Sequence, residues 1–202
     1  EAWSIQQELL GDEHPATLRT RRGIGNVYAV YESELTSAFE HFDFVLDAQK
    51  RIHGERHPNV AETIHSIGRG HAMKGDFTEA LKLLEECYYM RVEFLGWDHP
   101  LQATTLHDIA KIHLKRGRLK KTLHICDVVL TIRRDSLSER HIDVAGDLLT
   151  KGRGLVALGN TEEAAQRLLD ALGIAEEAVG PTHPLVADIH VEIGGMYLRK
   201  CQ

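Results

Sequence analysis

Apolar residues recur along the chain at spacings of three and four, which is the periodicity of one face of an α-helix. In residues 58–74, for example, Val60, Ile64 and Ile67 mark such a face, and Gly75 then interrupts it. No segment alternates convincingly between apolar and polar side chains, as a half-buried strand would. The pattern therefore predicts an all-α chain whose helices are about 16 to 18 residues long.

The segment after Gly75 predicts a second helix, antiparallel to the first. Thr78 is the predicted N-cap because its hydroxyl can accept a hydrogen bond from a backbone N–H of the first turn. The helix is expected to end at Leu95, since Gly96 can adopt the left-handed conformation that stops a helix. Its predicted inward-facing residues are Ala80, Leu81, Leu84, Cys87 and Tyr88.

The two-helix pattern repeats with a period of about 42 residues. A histidine opens each period at positions 14, 57, 99, 141 and 183, and in four of the five it precedes a proline. Proline suits the first position of a helix because its missing N–H would have no partner there. A glycine follows the first helix of three repeats, at positions 75, 117 and 159. A fixed period of this length predicts an α-solenoid.

This period sets the predicted organisation of the chain. We expect a single right-handed α-solenoid of antiparallel helix pairs over residues 1–202. One extra residue must lie in the first repeat, between Gly25 and Ala38. Because the chain begins with Glu1 and both ends are half-repeats, we expect it to be a piece of a longer protein. The predicted parts are the end of a preceding helix B over 1–10, repeats over 14–53, 57–95, 99–136 and 141–179, and helix A of a fifth repeat over 183–202.

The two helices of a repeat are expected to meet at small residues. Gly68 in the first helix should face Ala80 in the second, because helix axes approach to about 8 Å only where side chains lack bulk. The fourth repeat departs most from the pattern. It has Lys151 on the inner face of its first helix and is preceded by Ser138 where the loop of another repeat has glycine.

These anchors make the sequence similar to the tetratricopeptide repeat, whose pattern is a small residue midway in helix A, a turn glycine and an alanine near the start of helix B. The period and the loop Leu95-Gly96-Trp97-Asp98-His99-Pro100 resemble the kinesin light chain type, which nephrocystin-like proteins share. The resemblance covers nearly the whole chain. It implies a non-catalytic protein–protein interaction module with an adaptor or scaffold role, whose A helices line a concave groove.

The resemblance also implies that residues 5, 8, 12, 15 and 16 after each periodic histidine face a ligand. Of these 25 positions seven are Lys or Arg and two are acidic, although the whole chain carries a net charge of −6. A positive wall predicts a groove for an acidic extended peptide, whose carboxylates arginine forks would bind. The predicted groove residues are Arg19, Arg22, Asn26, His65, Arg69, Met73, His107, Lys111, Leu114, Lys115, Arg153 and Val156.

Two other interpretations stay open. The charged positions can be an ordinary solvated helix face. The chain can also be a structural spacer, an oligomerisation element or a sensor segment of a larger multidomain signalling protein. In that case Leu185, Ile189 and Ile193 of the last helix, which we expect to be exposed, would associate with a second copy.

Composition and charge narrow the class of protein. Apolar residues make up 43% of the chain and charged residues 27%, as in globular domains. No apolar run approaches the roughly 20 residues of a membrane-spanning helix, and the net negative charge argues against nucleic acid as a partner. The three cysteines, Cys87, Cys126 and Cys201, fit neither a disulfide framework nor a zinc module. We therefore expect a reducing, cytoplasmic location.

The sequence contains no recognisable metal-binding or catalytic motif. Five of the thirteen histidines are the periodic ones, one repeat apart and too dispersed to share an ion. Neither an H-E-x-x-H motif nor a Cys/His cluster is present, and no catalytic triad can be nominated. Cys87 and Cys126 are predicted to be core residues. We expect no metal, no cofactor and no enzymatic activity.

Overall fold

The computed structural model describes residues 2–200, with every side chain except those of Glu32 and Lys200. Glu1, Cys201 and Gln202 of the predicted repeats lie outside the described residues. Residues 2–200 contain ten α-helices and one 3-10 turn over Glu32–Glu34, with no strand among them. The prediction of an all-α chain is confirmed.

The chain divides after Trp97 into two compact units, each with five of these helices. The first unit contains α1 (Ala2–Leu10), α2 (Pro15–Tyr28), α3 (Leu35–His53), α4 (Pro58–Lys74) and α5 (Phe77–Leu95). The second contains α6 (Pro100–Lys115), α7 (Leu119–Ser136), α8 (Ile142–Leu158), α9 (Thr161–Val179) and α10 (Pro184–Lys200).

Helices that follow a periodic histidine are A helices, and those that run back along them are B helices. In the first unit α2 and α4 are A helices, with α3 and α5 as their B helices. In the second unit α6, α8 and α10 are A helices, and α7 and α9 are B helices. Because only two residues connect α4 to α5 and α8 to α9, the helices of these pairs are antiparallel. Each unit therefore has the helix-hairpin packing of the predicted α-solenoid.

Each unit has an apolar core between its A and B helices. In the first unit Phe42 and Leu84 come from B helices and are fully buried. In the second unit Leu168 of α9 and Ile189 of α10 are fully buried as well. Burial of one such side chain contributes about 1.5–3 kcal/mol, so these contacts dominate the stability of each hairpin.

The predicted exposure of Leu185, Ile189 and Ile193 is wrong. Ile189 is fully buried, and Leu185 and Ile193 are partly buried against the core of the second unit. The reason is that α10 packs against both α9 and α8, which cover its apolar face. The side chains that α10 exposes are instead Val191, Tyr197 and Leu198.

Every periodic histidine caps the A helix that follows it. His57 Nδ1 accepts a hydrogen bond from the backbone N–H of Asn59 at 3.1 Å, and His99 Nδ1 accepts from Leu101 at 3.2 Å. His14, His141 and His183 make the same bond two residues ahead. The bond satisfies one of the N–H groups that a helix N-terminus leaves without a partner. The residue that repeats along the sequence is thus an N-cap residue. The His-Pro spacing alone did not reveal this capping role of the histidine.

A glycine in helix A lets helix B approach closely. A Cβ at Gly68 would lie 3.0 Å from Leu84 Cγ, and a Cβ at Gly152 would lie 2.6 Å from Leu168 Cδ2. The predicted partner, Ala80, is fully buried but lies one turn before the contact residue Leu84. The small residue is therefore required, as predicted, but the group that it admits is a leucine and not an alanine.

The extra residue of the first repeat lies in the connection between α2 and α3. Helix α2 ends at Tyr28, and Ala29 to Glu34 complete the connection with the 3-10 turn. The corresponding connection between α4 and α5 has only two residues. The insertion thus shortens helix A and leaves the later repeats in register.

Two predicted local details differ in the structure. Helix α5 begins at Phe77, so Thr78 is its second residue and not its N-cap. The loop after α5 has Gly96 at φ 88° and ψ 166°, a conformation that is essentially restricted to glycine. With Ser138 at that place, α7 ends one residue earlier in the repeat, at Ser136, and Leu137 is extended.

Lys151, the charged residue on the inner face of α8, has an electrostatic explanation. Its side chain is largely buried, and its Nζ lies 2.6 Å from Asp127 Oδ1 of α7 and 3.9 Å from a carboxylate oxygen of Glu163 on α9. A lysine stem can fill apolar space while its ammonium group reaches a polar partner. Lys151 therefore bridges the two B helices at the place where other repeats have isoleucine.

The histidine caps predict a loss of stability in acid. Nδ1 can accept a hydrogen bond only while it is unprotonated, and a charged ring would face the positive end of the helix dipole. Burial, with a smaller contribution from His53, lowers the pKa of His57. The free energy of unfolding should therefore be constant well above about pH 6.5 and decrease as the pH falls below that value. Urea denaturation at a series of pH values measures this.

The control for this prediction is His57→Asn, which keeps a capping acceptor that does not titrate. The stability of this variant should decrease less steeply in acid than that of the unaltered chain. Equal slopes for the two proteins would contradict the capping explanation.

The close helix approach predicts opposite effects for two glycines of the same helix. Gly152→Ala should lower the free energy of unfolding by about 1–2 kcal/mol, because fully buried Leu168 cannot move away from the new methyl group. A Cβ at Gly146 of α8 would have no atom within 4 Å. Gly146→Ala should therefore raise stability by about 0.5–1 kcal/mol through helix propensity. Thermal unfolding of both variants gives the comparison, and equal stabilities would contradict it.

Candidate functional site

The predicted groove residues lie on the A helices, and the structure exposes them to different extents. The side of the A helices that carries them is called the A-helix face, and it is described separately for each unit. Arg19, Asn26, Arg69, Met73, Lys111 and Lys115 are exposed. Arg22, His107, Leu114, Arg153 and Val156 are partly buried. His65 is buried, with 8% of its surface exposed.

In the first unit, one predicted cation is already paired. Arg22 Nη2 of α2 lies 2.8 Å from Glu62 Oε1 of α4, and the Arg22 side chain is only 13% exposed. Arg22 and Glu62 lie at the rim of a cavity of about 330 Å³, which Arg19 and Gln49 also line. Gln49 Oε1 accepts a hydrogen bond of 2.7 Å from Thr63 Oγ1.

In the second unit, Arg153 is paired in the same way. Its Nε lies 3.0 Å from Glu192 Oε2 of α10, and Arg199 Nη2 lies 3.5 Å from the other oxygen of Glu192. One carboxylate thus serves two cations of the A-helix face. The sequence analysis did not predict Glu192 as a groove residue. It stands nine residues after His183, and the ligand-facing positions are 5, 8, 12, 15 and 16 after the periodic histidine.

These ion pairs reduce the positive charge that the sequence predicted for the A-helix face. Arg22 and Arg153 each have a carboxylate from the next A helix. Lys111, by contrast, is exposed and has no ion-pair partner among residues 2–200. On the A-helix face of the second unit, the exposed Lys111 of α6 is therefore a cation without an ion-pair partner among residues 2–200, and His107 and Lys115 lie one turn before and one turn after it.

A buried carboxylate connects three helices beside this part of α6. Asp147 of α8 is 1% exposed, and its Oδ1 lies 2.5 Å from His107 Nδ1 of α6. Its Oδ2 lies 3.2 Å from Nη1 of Arg133 on α7, a residue only 5% exposed. A buried charge is costly unless it is paired, and here one partner, Arg133, is itself buried while the other, His107, is partly exposed.

The sequence did contain a signal for Asp147. It stands six residues after its histidine, the place that Thr63, Thr105 and Ile189 occupy in other repeats, all of them fully buried. A charged residue at a core position requires a partner. That partner, Arg133, is fourteen residues earlier, the same separation as between Gln49 and Thr63 in the first unit. The two pairs are equivalent contacts between a B helix and the A helix that follows it.

The repeat pattern identifies the family. The sequence matches the tetratricopeptide repeat family over residues 29–91 and 71–135, and matches a second description of this repeat over residues 150–185. The first two segments together span more than half of the 202 residues. The chain belongs to the tetratricopeptide repeat family.

Solved structures of tetratricopeptide-like repeats have the same fold. The nearly identical TPR-like repeats of a Podosopora anserina protein designated a kinesin light chain align with a TM-score of 0.74 at 22% identity, over 94% of this chain and 89% of that chain. A single-substitution form of the same repeats gives a TM-score of 0.75 at the same identity and coverage. BtubC (BKLC) from P. vanneervenii aligns with a TM-score of 0.62 at 18% identity, over 91% of this chain and 66% of that chain. No curated protein sequence matches the chain.

Two observations on this tetratricopeptide repeat chain concern metal binding and thiol reactivity. Among the described residues, no group of three or more His, Cys, Asp or Glu side chains could hold a metal ion. Burial, with smaller contributions from Asp147 and Asp127, raises the pKa of the Cys126 thiol to about 12. This thiol is therefore protonated at neutral pH and is not an activated nucleophile. Within residues 2–200, no helix has both the length and the apolar character of a membrane span.

The Asp147 network predicts a large loss of stability when its carboxylate is removed. Asp147→Ala should lower the free energy of unfolding by about 3 kcal/mol, because it leaves the buried guanidinium of Arg133 without its nearest partner. Glu177→Ala is the control, since it removes an exposed ion pair with Arg140 and should leave stability unchanged within error. Urea denaturation of both variants measures the difference. Similar stabilities would contradict a stabilising role for the network.

Proposed function

We propose that this chain is a non-catalytic protein-interaction module that binds an acidic, extended peptide segment of a partner on its A-helix face. Tetratricopeptide repeats are typically interaction scaffolds, and the fold resembles that of kinesin light chain repeats. The proposed role is that of an adaptor or scaffold. The proposed location, from the cysteine usage, is the cytoplasm.

The observation that carries the proposal is the exposed ammonium group of Lys111 on α6. Lys111 is exposed and lacks an ion-pair partner among residues 2–200, while His107 and Lys115 lie one turn to either side of it. An unpaired ammonium group attracts carboxylates, and an extended peptide places one side chain about every 3.3–3.6 Å along such a row. Leu114 and Val156 are partly buried and supply apolar contact on the same unit.

In the first unit, the residues proposed to contribute are Arg19, Arg22, Asn26, Arg69 and Met73. Arg22 would have to exchange its partner Glu62 for a carboxylate of the ligand. Such an exchange replaces one charge-assisted bond by another, so its net contribution to affinity is small. His65, which is buried, does not contact a ligand in this proposal.

A second candidate function is that of a structural spacer, oligomerisation element or sensor segment of a larger signalling protein. The observation that favours it is the apolar surface of α10, where Val191 is 73% and Leu198 71% exposed. Sedimentation velocity at increasing concentration tests this candidate. Self-association that Lys111→Glu does not alter would favour it over peptide binding.

The proposed function predicts that charge reversal on α6 weakens peptide binding. Lys111→Glu should reduce the affinity for a fluorescein-labelled peptide of alternating glutamate and leucine by about tenfold or more. The affinity of the unaltered chain should also fall as salt is added, because screening weakens attraction between exposed charges. Fluorescence anisotropy measures both effects.

The matched controls are one protein variant and one peptide. Lys120→Glu makes the same charge change at an exposed position of the B helix α7 and should leave binding unchanged. The peptide with glutamine in place of glutamate should not bind. Failure of the unaltered chain to bind the glutamate peptide, or equal effects of the two lysine variants, would contradict the proposed function.

A further inference from the structure

We infer that His107 forms the carboxylate site of the second unit through Nε2, and that Asp147 is the positioning residue that fixes the imidazole ring for this contact. The inference rests on the proposed function and deepens it. It names the binding atom, its neighbour Lys111 and the buried group that orients the ring.

The first step is the protonation of the ring. His107 Nδ1 lies 2.5 Å from Asp147 Oδ1, and a carboxylate can only accept a hydrogen bond. Nδ1 therefore carries a proton and donates it to this bond. Nε2, on the opposite side of the ring, has no hydrogen-bond partner among residues 2–200, and the His107 side chain remains 20% exposed.

The second step is the rigidity of the carboxylate. Asp147 Oδ2 faces Nη1 of Arg133 at 3.2 Å, and Arg133 Nη1 also lies 3.5 Å from Asp143 Oδ2. Both Asp147 and Arg133 are almost completely buried, so neither can rotate toward solvent. A ring that is held by a group of this kind is preorganised, and a ligand that binds it does not have to restrict its rotation.

Lys111 lies beside His107 on α6. It follows His107 by one helical turn, so the two side chains are neighbours on one face of α6. Charged side chains near His107 include Asp147 from α8, its partner Arg133 from α7, and Asp108 and Lys111 on α6 itself. Arg133 is engaged by two carboxylates, which leaves Lys111 as the cation that can meet a ligand together with His107.

These steps define the bound state. A ligand carboxylate accepts one hydrogen bond from Nε2–H of His107 and one from Nζ of Lys111. The ring then has protons on both nitrogens, and the second proton is taken up from solvent. Its positive charge lies between two carboxylates, that of Asp147 and that of the ligand, which is a strong, charge-assisted arrangement.

Two substitutions of His107 separate the two ring nitrogens. In His107→Asn the amide nitrogen takes the place of Nδ1, so the bond to Asp147 can remain while the ligand-binding atom is lost. In His107→Gln the amide nitrogen takes the place of Nε2. With the full chain and the labelled glutamate–leucine peptide, His107→Asn should bind about tenfold more weakly, and His107→Gln should lose less. Circular dichroism confirms that both variants are folded.

Long-range ¹H–¹⁵N NMR tests the role of Asp147 without a ligand. When its imidazole is neutral, His107 of the free chain should be in the Nδ1–H form, the less common form of neutral histidine. Asp147→Asn should lower the fraction of the Nδ1–H form and weaken peptide binding, because the bound, doubly protonated ring then lacks one of its two carboxylates and is no longer held in place. Lys111→Glu should weaken binding and leave the ring signals unchanged. If Asp147 had only a structural role, its substitution would not change the protonated nitrogen of His107 and the affinity for the peptide together.

The outcomes distinguish this inference from the proposed function. Unchanged affinity of His107→Asn, together with weaker binding of Lys111→Glu, would overturn the inference and leave the proposed function standing. An Nε2–H ring in the free, unaltered chain would overturn the positioning role of Asp147. Absence of peptide binding by the unaltered chain would overturn the proposed function and with it the carboxylate site.

Discussion

The close contact between helix A and helix B at one small residue is the constraint on which each repeat depends. A Cβ at Gly152 would lie 2.6 Å from Leu168 Cδ2, too close for a methyl group, and a Cβ at Gly68 would lie 3.0 Å from Leu84 Cγ, a tight contact. This contact sets the separation of the two helices, and with it the faces that remain for neighbouring repeats. In the first repeat Gly25 does the same for Phe42, so an insertion in the following loop does not disturb the pair.

Within each unit, polar contacts join a B helix to the A helix of the next repeat. Buried hydrogen bonds and ion pairs connect a B helix to the next A helix, as in Gln49 with Thr63 and Arg133 with Asp147. Such contacts depend on complementary partners, whereas apolar contacts tolerate many combinations. They therefore fix the register of one repeat on the next. In the second unit the same contact also reaches the surface through His107.

The distribution of charge on the A-helix face follows from these contacts. A positive residue at a ligand-facing position is available to a ligand only if no carboxylate of the chain already binds it. In the structure, carboxylates from the next A helix neutralise Arg22 and Arg153, whereas Lys111 of α6 has no ion-pair partner among the described residues. Binding energy in a repeat array comes from groups whose hydrogen bonds and charges are not satisfied internally, since an internal partner must first be given up.

The sequence alone determined the features that arise within one helix or one turn. Helix α4 spans residues 58–74 as predicted, and the turn glycine Gly75 is left-handed, because periodicity and backbone conformation are local properties. Which side chains meet across helices was decided only by the tertiary structure. The partner of Gly68, the burial of Ile189, and the contact of His107 with Asp147 each join residues from different helices. Their contacts depend on helix separation and rotation, which arise from the packing of all neighbouring side chains together.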